Sequence, residues 1–140
     1  MKTSLNLNWL EDMAFESEIN GHKIVIDAVE SVGGKNRGPR PKPFMLLALA
    51  GCTAMDVVSI LKKMRVKIDD FSVEVEANLT EEHPKQYDEM KVIYKFWGND
   101  LPKDKIEKAV NLSDERYCCV SAVYKKAIKM SHEIRINPEK

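Results

Sequence analysis

The residues that interrupt or stiffen a chain are scarce here. Six Gly and six Pro among 140 residues are too few for a collagen-like or low-complexity polymer. Three Cys cannot build the framework of a disulfide-dense scaffold. Charge of one sign is also missing, because 22 Lys+Arg meet 22 Asp+Glu and leave a formal net charge of zero. Such a chain has no long-range field for a phosphate backbone, so nucleic acid is not an expected partner. The longest uncharged run, 43–55, is shorter than the roughly 20 residues needed to cross a bilayer. It reads as a buried helix, with no membrane association. Residues 1–9 alternate apolar and polar side chains where a signal peptide would place a continuous apolar core, so a cytoplasmic location is expected. In that reducing compartment the three thiols stay free, and any disulfide among them is transient chemistry.

What is present suits a single domain over 1–140, with 44% hydrophobic and 31% charged residues. Period-2 alternation predicts strands near 5–9, 15–19 and 22–28, and Asn20-Gly21 supplies the hairpin turn between the last two. Gly33, Gly34, Gly38, Pro39, Pro41 and Pro43 then interleave with Lys35, Arg37, Arg40 and Lys42, which reads as a mobile basic loop. A helix is expected from Phe44 to about Met64. Its first three turns carry no charge, so it must be enclosed by protein, and an obligate dimer is expected to enclose it. Two alternating strands follow, around 71–79 and 90–97, then helices near 102–112 and 118–130, and a short strand carrying His132, Ile134 and Ile136. The order βββ-α-ββ-αα-β is an α+β pattern with a largely antiparallel sheet.

Few residue sets here suit catalysis. The glycines match neither nucleotide-binding fingerprint, and no serine elbow is present. His22, His83 and His132 are scattered and none pairs with a cysteine at zinc-ligand spacing, so neither metal nor cofactor is expected. Cysteine remains. Cys52 lies inside the apolar helix, where packing alone would explain it. Asp56, one turn on, shares its face and would raise the pKa of a neighbouring thiol, so a reactive Cys52 needs a cation from elsewhere. Cys118 and Cys119 open the last helix, where free backbone N–H groups favour a thiolate. At most one of this adjacent pair should face Cys52.

Gly38-Pro39-Arg40-Pro41-Lys42-Pro43, Gly51-Cys52-Thr53-Ala54-Met55-Asp56-Val57-Val58 and Tyr117-Cys118-Cys119-Val120-Ser121, taken together, closely resemble the OsmC/Ohr family, in particular its OsmC-like redox proteins. The resemblance implies an intertwined α+β homodimer with a buried central helix, acting in oxidative stress as a two-cysteine peroxidase on organic, and also inorganic, hydroperoxides. Cys52 takes the peroxidatic place. Cys118 takes the resolving place because the family's Tyr-Cys-Pro-Val-Ser wording sets the cysteine directly after Tyr117, leaving Cys119 where proline stands. A dithiol such as lipoylated protein or thioredoxin would be the reductant. Lys42 occupies the position of the family's activating glutamate, and no arginine lies in 5–28. Arg37, Arg40 or Arg116 is therefore the candidate cation. The alternative reading is a non-catalytic thiol redox sensor, or a module that binds a small apolar ligand, on the same fold.

Overall fold

In the computed structural model, which describes every residue from Met1 to Lys140, the chain divides into two units after Met45. In the first unit, β1 (Leu7–Glu11), β2 (Ala14–Ile19) and β3 (His22–Ile26) form an antiparallel meander. Asn20 and Gly21 both take positive φ, 53° and 82°, as a two-residue turn matched to strand twist requires. One side of this sheet stays apolar and open, with Leu5, Leu7, Ile19, Ile24, Ile26 and Phe44 lining a groove.

The basic loop after β3 is pinned by one buried side chain. The Asp27 carboxylate accepts from the backbone N–H groups of Ala28, Lys35 and Arg37 and from Arg37 Nε, at 2.8–3.1 Å. Arg37 also reaches Glu11 and Asp12. Glycine is required at two places here because the backbone closes on β3 and on the residues just after it. A Cβ at Gly34 would stand 1.8 Å from the Ala28 carbonyl oxygen, and one at Gly38 2.1 Å from that of Val25. The loop read as mobile is therefore tied down, and it contains a short 3-10 turn at Glu30–Val32.

The Arg37 side chain holds the Asp27 carboxyl well below the usual carboxylate range; burial opposes it, and the three backbone N–H groups add to it. A depressed folded value means that the ionised carboxylate stabilises the fold at pH above the unfolded value of about 3.9, and that this contribution fades as pH falls further. Asp27→Asn should therefore lower the urea midpoint by a constant amount above about pH 5, and the gap to wild type should narrow below pH 4. Urea titrations of both proteins from pH 3 to 7 measure this.

In the second unit, β4 (Asp70–Leu79) and β5 (Tyr87–Trp97) pair antiparallel, and β6 (Lys129–Ile136) joins β5 in parallel. The fold is α+β as expected, but with two three-stranded sheets, the second of them mixed. The parallel pairing follows from the crossover between β5 and β6, which carries α2 (Lys103–Leu112), a π turn (Ser113–Tyr117) and α3 (Cys119–Tyr124). The helix expected over 118–130 thus stops at Tyr124. Lys129 and Met130, at the end of that expected helix, pair with β5 instead, in line with Ile134 and Ile136 of the expected strand, because backbone pairing and burial outweigh local propensity.

Helix α1 (Phe44–Lys63) runs where expected, and Lys62 and Lys63 sit in its last turn. Its enclosure is only partial. Leu49, Thr53, Val57 and Leu61, spaced by four, are buried, and the apolar three of them join Met90, Val92, Tyr94, Phe96, Ile106, Ala109 and Val110 in the core. Leu47 is 64% and Met55 76% exposed. By length and composition alone α1 would pass for a membrane span, yet its buried stripe packs as the core helix of a globular domain does.

Candidate active site

All elements of the site belong to the second unit. Cys52 and Asp56 are four apart on α1 and so share one face. The π turn supplies their partner. Its wide hydrogen bond, Cys118 N–H to the Ser113 carbonyl at 2.8 Å, ends the α2 crossover and leaves Cys118 extended, at φ −75° and ψ 105°, as the residue that caps α3. The Ser121 N–H donates to Cys118 Sγ at 3.3 Å. The Ser113 hydroxyl donates to Asp56 Oδ2 at 3.0 Å. In this way Cys52 Sγ, Cys118 Sγ and an Asp56 carboxylate oxygen come within 4.8 Å of one another.

Cys118 is buried, Cys52 is half-buried and Cys119 is exposed. Helix geometry explains the split, since adjacent residues at a helix start point in different directions and only one can face α1. The expectation that a helix start would favour a Cys118 thiolate does not hold. Burial pushes the thiol up to about 12, and although the Ser121 N–H works in the opposite direction, proximity to Cys52 reinforces the rise. Tyr94 lies close by on β5 and shares a hydrogen bond with Thr53; burial raises its hydroxyl, also to about 12.

Two of the three arginines considered as activating cations, Arg37 and Arg40, are engaged within the first unit. Arg37 serves Asp27, Glu11 and Asp12. Arg40 donates to neutral acceptors, the Gly38 carbonyl at 2.7 Å and Asn36 Oδ1 at 2.9 Å. Arg116 lies over the Tyr117 ring. No ion pair forms at Asp56, although Lys63 and Lys108 line the same cavity of about 380 Å³ together with Ile60, Met64 and Tyr117.

Sequence reasoning missed Ser113, Ser121 and Tyr94. The serines are wholly buried hydroxyls, and their only signal is position, close to the second cysteine in the chain. Tyr94 shares the face of Met90, Val92 and Phe96 on β5, so its position reads like that of any core residue. On α1, Leu49 is fully buried in the core and Met55 is largely exposed, because positions six apart on a helix are turned about 120° from each other.

Known proteins share this arrangement of elements. The family model described as OsmC-like protein matches residues 34–133, across the boundary between the two units. Protein YhfA of Escherichia coli K12 is 32% identical over 131 residues, which cover 93% of this chain and 95% of that one. A crystal structure of a hypothetical protein from Aquifex aeolicus VF5 superposes with a TM-score of 0.81 at 28% identity, covering 99% of this chain and 100% of the other. An organic hydroperoxide resistance protein from Legionella pneumophila has the same fold, with a TM-score of 0.66 at 14% identity and coverage of 95% and 97%. A match over most of the chain, joined to a relative that spans nearly all of it, makes this protein a member of the OsmC-like family.

Proposed function

We propose that the protein is a thiol peroxidase that reduces organic hydroperoxides through Cys52 and Cys118. The observation that carries this reading is the convergence of the two sulfurs, 66 positions apart in sequence (118 − 52), on Asp56, which lines an accessible cavity. Cys52 is the more accessible thiol and attacks the O–O bond, giving Cys52–SOH and an alcohol. The Cys118 sulfur then displaces the hydroxyl, which leaves as water, and forms the disulfide. A dithiol such as lipoylated protein or thioredoxin takes over the disulfide and restores both thiols. The Ile60, Met64 and Leu112 side chains at the cavity favour an alkyl-bearing peroxide, since each buried methylene contributes roughly 0.8 kcal/mol. A reducing cytoplasm would keep the pair ready.

Consumption of cumene hydroperoxide in the presence of dihydrolipoamide tests the reading. Wild type should turn over and Cys52→Ser should not. Background consumption by both would leave a redox sensor or apolar-ligand module in place of an enzyme. The cation role falls to Arg40, whose guanidinium meets only neutral acceptors, before Arg37, which three carboxylates already neutralise. Arg40→Ala should slow Cys52 alkylation at neutral pH more than Arg37→Ala does. Equal rates in both variants and wild type would leave the loop without that role.

The reading includes a homodimer that covers the open face of α1. Leu47→Glu should leave the protomer folded, because the side chain is already exposed, yet shift the mass measured by light scattering from dimer to monomer at micromolar concentration. A wild-type protein that is monomeric under those conditions would refute the dimer.

A further inference from the structure

We propose that the reduced protein binds a zinc ion on Cys52 Sγ, Cys118 Sγ and an Asp56 carboxylate oxygen, with the fourth position open to solvent. The proposal rests on the side-chain cluster and holds whether or not the thiols turn over peroxide.

Three donors converge from two directions. Cys52 and Asp56 project from one face of α1 four residues apart, the spacing by which a single helix offers two ligands to one metal. Cys118 closes the set from the end of the π turn. The donor atoms lie within 4.8 Å of one another. A tetrahedral zinc with its usual bonds to sulfur and oxygen needs ligand separations of about 3.5–3.8 Å, so rotamer adjustments of the two half-buried side chains, Cys52 and Asp56, suffice.

The surroundings also suit a metal. Ser113 Oγ–H holds Asp56 at 3.0 Å and the Ser121 N–H holds Cys118 Sγ at 3.3 Å. These are the outer bonds that orient a carboxylate and a thiolate toward an ion. Lys63 and Lys108 line the cavity beside Asp56, but neither forms an ion pair with it. Three groups able to carry negative charge therefore face each other without a protein cation among them. Two sulfur donors disfavour calcium and magnesium, and the carboxylate disfavours copper(I), which leaves zinc as the fitting ion. The cavity of about 380 Å³ against Asp56 provides entry and room for a water as fourth ligand.

Cobalt(II) titration of the reduced, oxygen-free protein tests the site. One equivalent should bind, with thiolate-to-cobalt charge-transfer absorption that zinc abolishes by displacement. The absorption should disappear in Cys52→Ser and Cys118→Ser and persist in Cys119→Ser, whose exposed thiol lies outside the cluster. Asp56→Asn keeps the shape and can still accept from Ser113, and it should weaken zinc binding by about tenfold or more. X-ray absorption of the zinc-loaded wild type, which needs no variant to fold, should show two sulfur ligands with oxygen completing the shell. Absence of charge transfer, a shell without two sulfurs, or undiminished binding in a folded Asp56→Asn protein would overturn the proposal.

Discussion

Cys118→Ser protein treated with excess organic hydroperoxide should consume one equivalent per chain and then stop, leaving a sulfenic acid on Cys52 that dimedone traps as a single adduct. The first step needs only the Cys52 sulfur and the peroxide, so removing the resolving thiol spares it. The second step needs a sulfur within bonding reach, and Cys119 cannot supply one because it is exposed and lies outside the cluster. Turnover with dithiol should accordingly fall to background in Cys52→Ser and to a slow, direct reduction of the sulfenic acid in Cys118→Ser. Cys119→Ser should match wild type. Mass spectrometry of the trapped adduct and of the peroxide-treated wild type, which should carry a Cys52–Cys118 disulfide, distinguishes these outcomes. A Cys52–Cys119 bridge in wild type would reverse the assignment of the resolving residue.

The resolving step should also be slow at neutral pH. Burial keeps the Cys118 thiol protonated up to about 12, and the thiolate is the attacking species.

Phe96→Ala should cost about 3–5 kcal/mol, a large part of the 5–15 kcal/mol that stabilises a typical domain. Phe96 is fully buried and stacks on Phe71 with ring centroids 4.6 Å apart and planes inclined by 16°. It belongs to the cluster that seats α1, α2 and the second sheet. Truncation removes both the transferred surface and the stacking, and leaves a cavity between elements that cannot collapse freely. The melting midpoint should drop by on the order of 10 °C or more, readable by calorimetry. A loss below about 1 kcal/mol would mean that the core closes over the gap.

Periodicity carried most of the elements. The hairpins, α1, α2 and the long β4 and β5 strands follow from alternation, from Asn20-Gly21 and from the absence of helix breakers, all local properties of the chain. The local wording around Cys52 and Cys118 carried the family. What the chain could not state locally was decided by contacts between distant segments. A run from Cys118 to Met130 has helical spacing, yet it breaks at Tyr124 because β5 offers a free edge and a core to cover. The basic loop is composed like a flexible linker, yet a single buried carboxylate, Asp27, collects its backbone N–H groups.

The same division holds at the site. Spacing by four placed Cys52 beside Asp56, because helix pitch is fixed by the backbone. That Cys118, and not Cys119, meets them depends on a π turn whose bond between Ser113 and Cys118 sets the direction of the following residue. The state of that thiol was decided in the same way. A helix start argues locally for a thiolate, but desolvation depends on everything packed around the sulfur, and only the tertiary structure brings those atoms together.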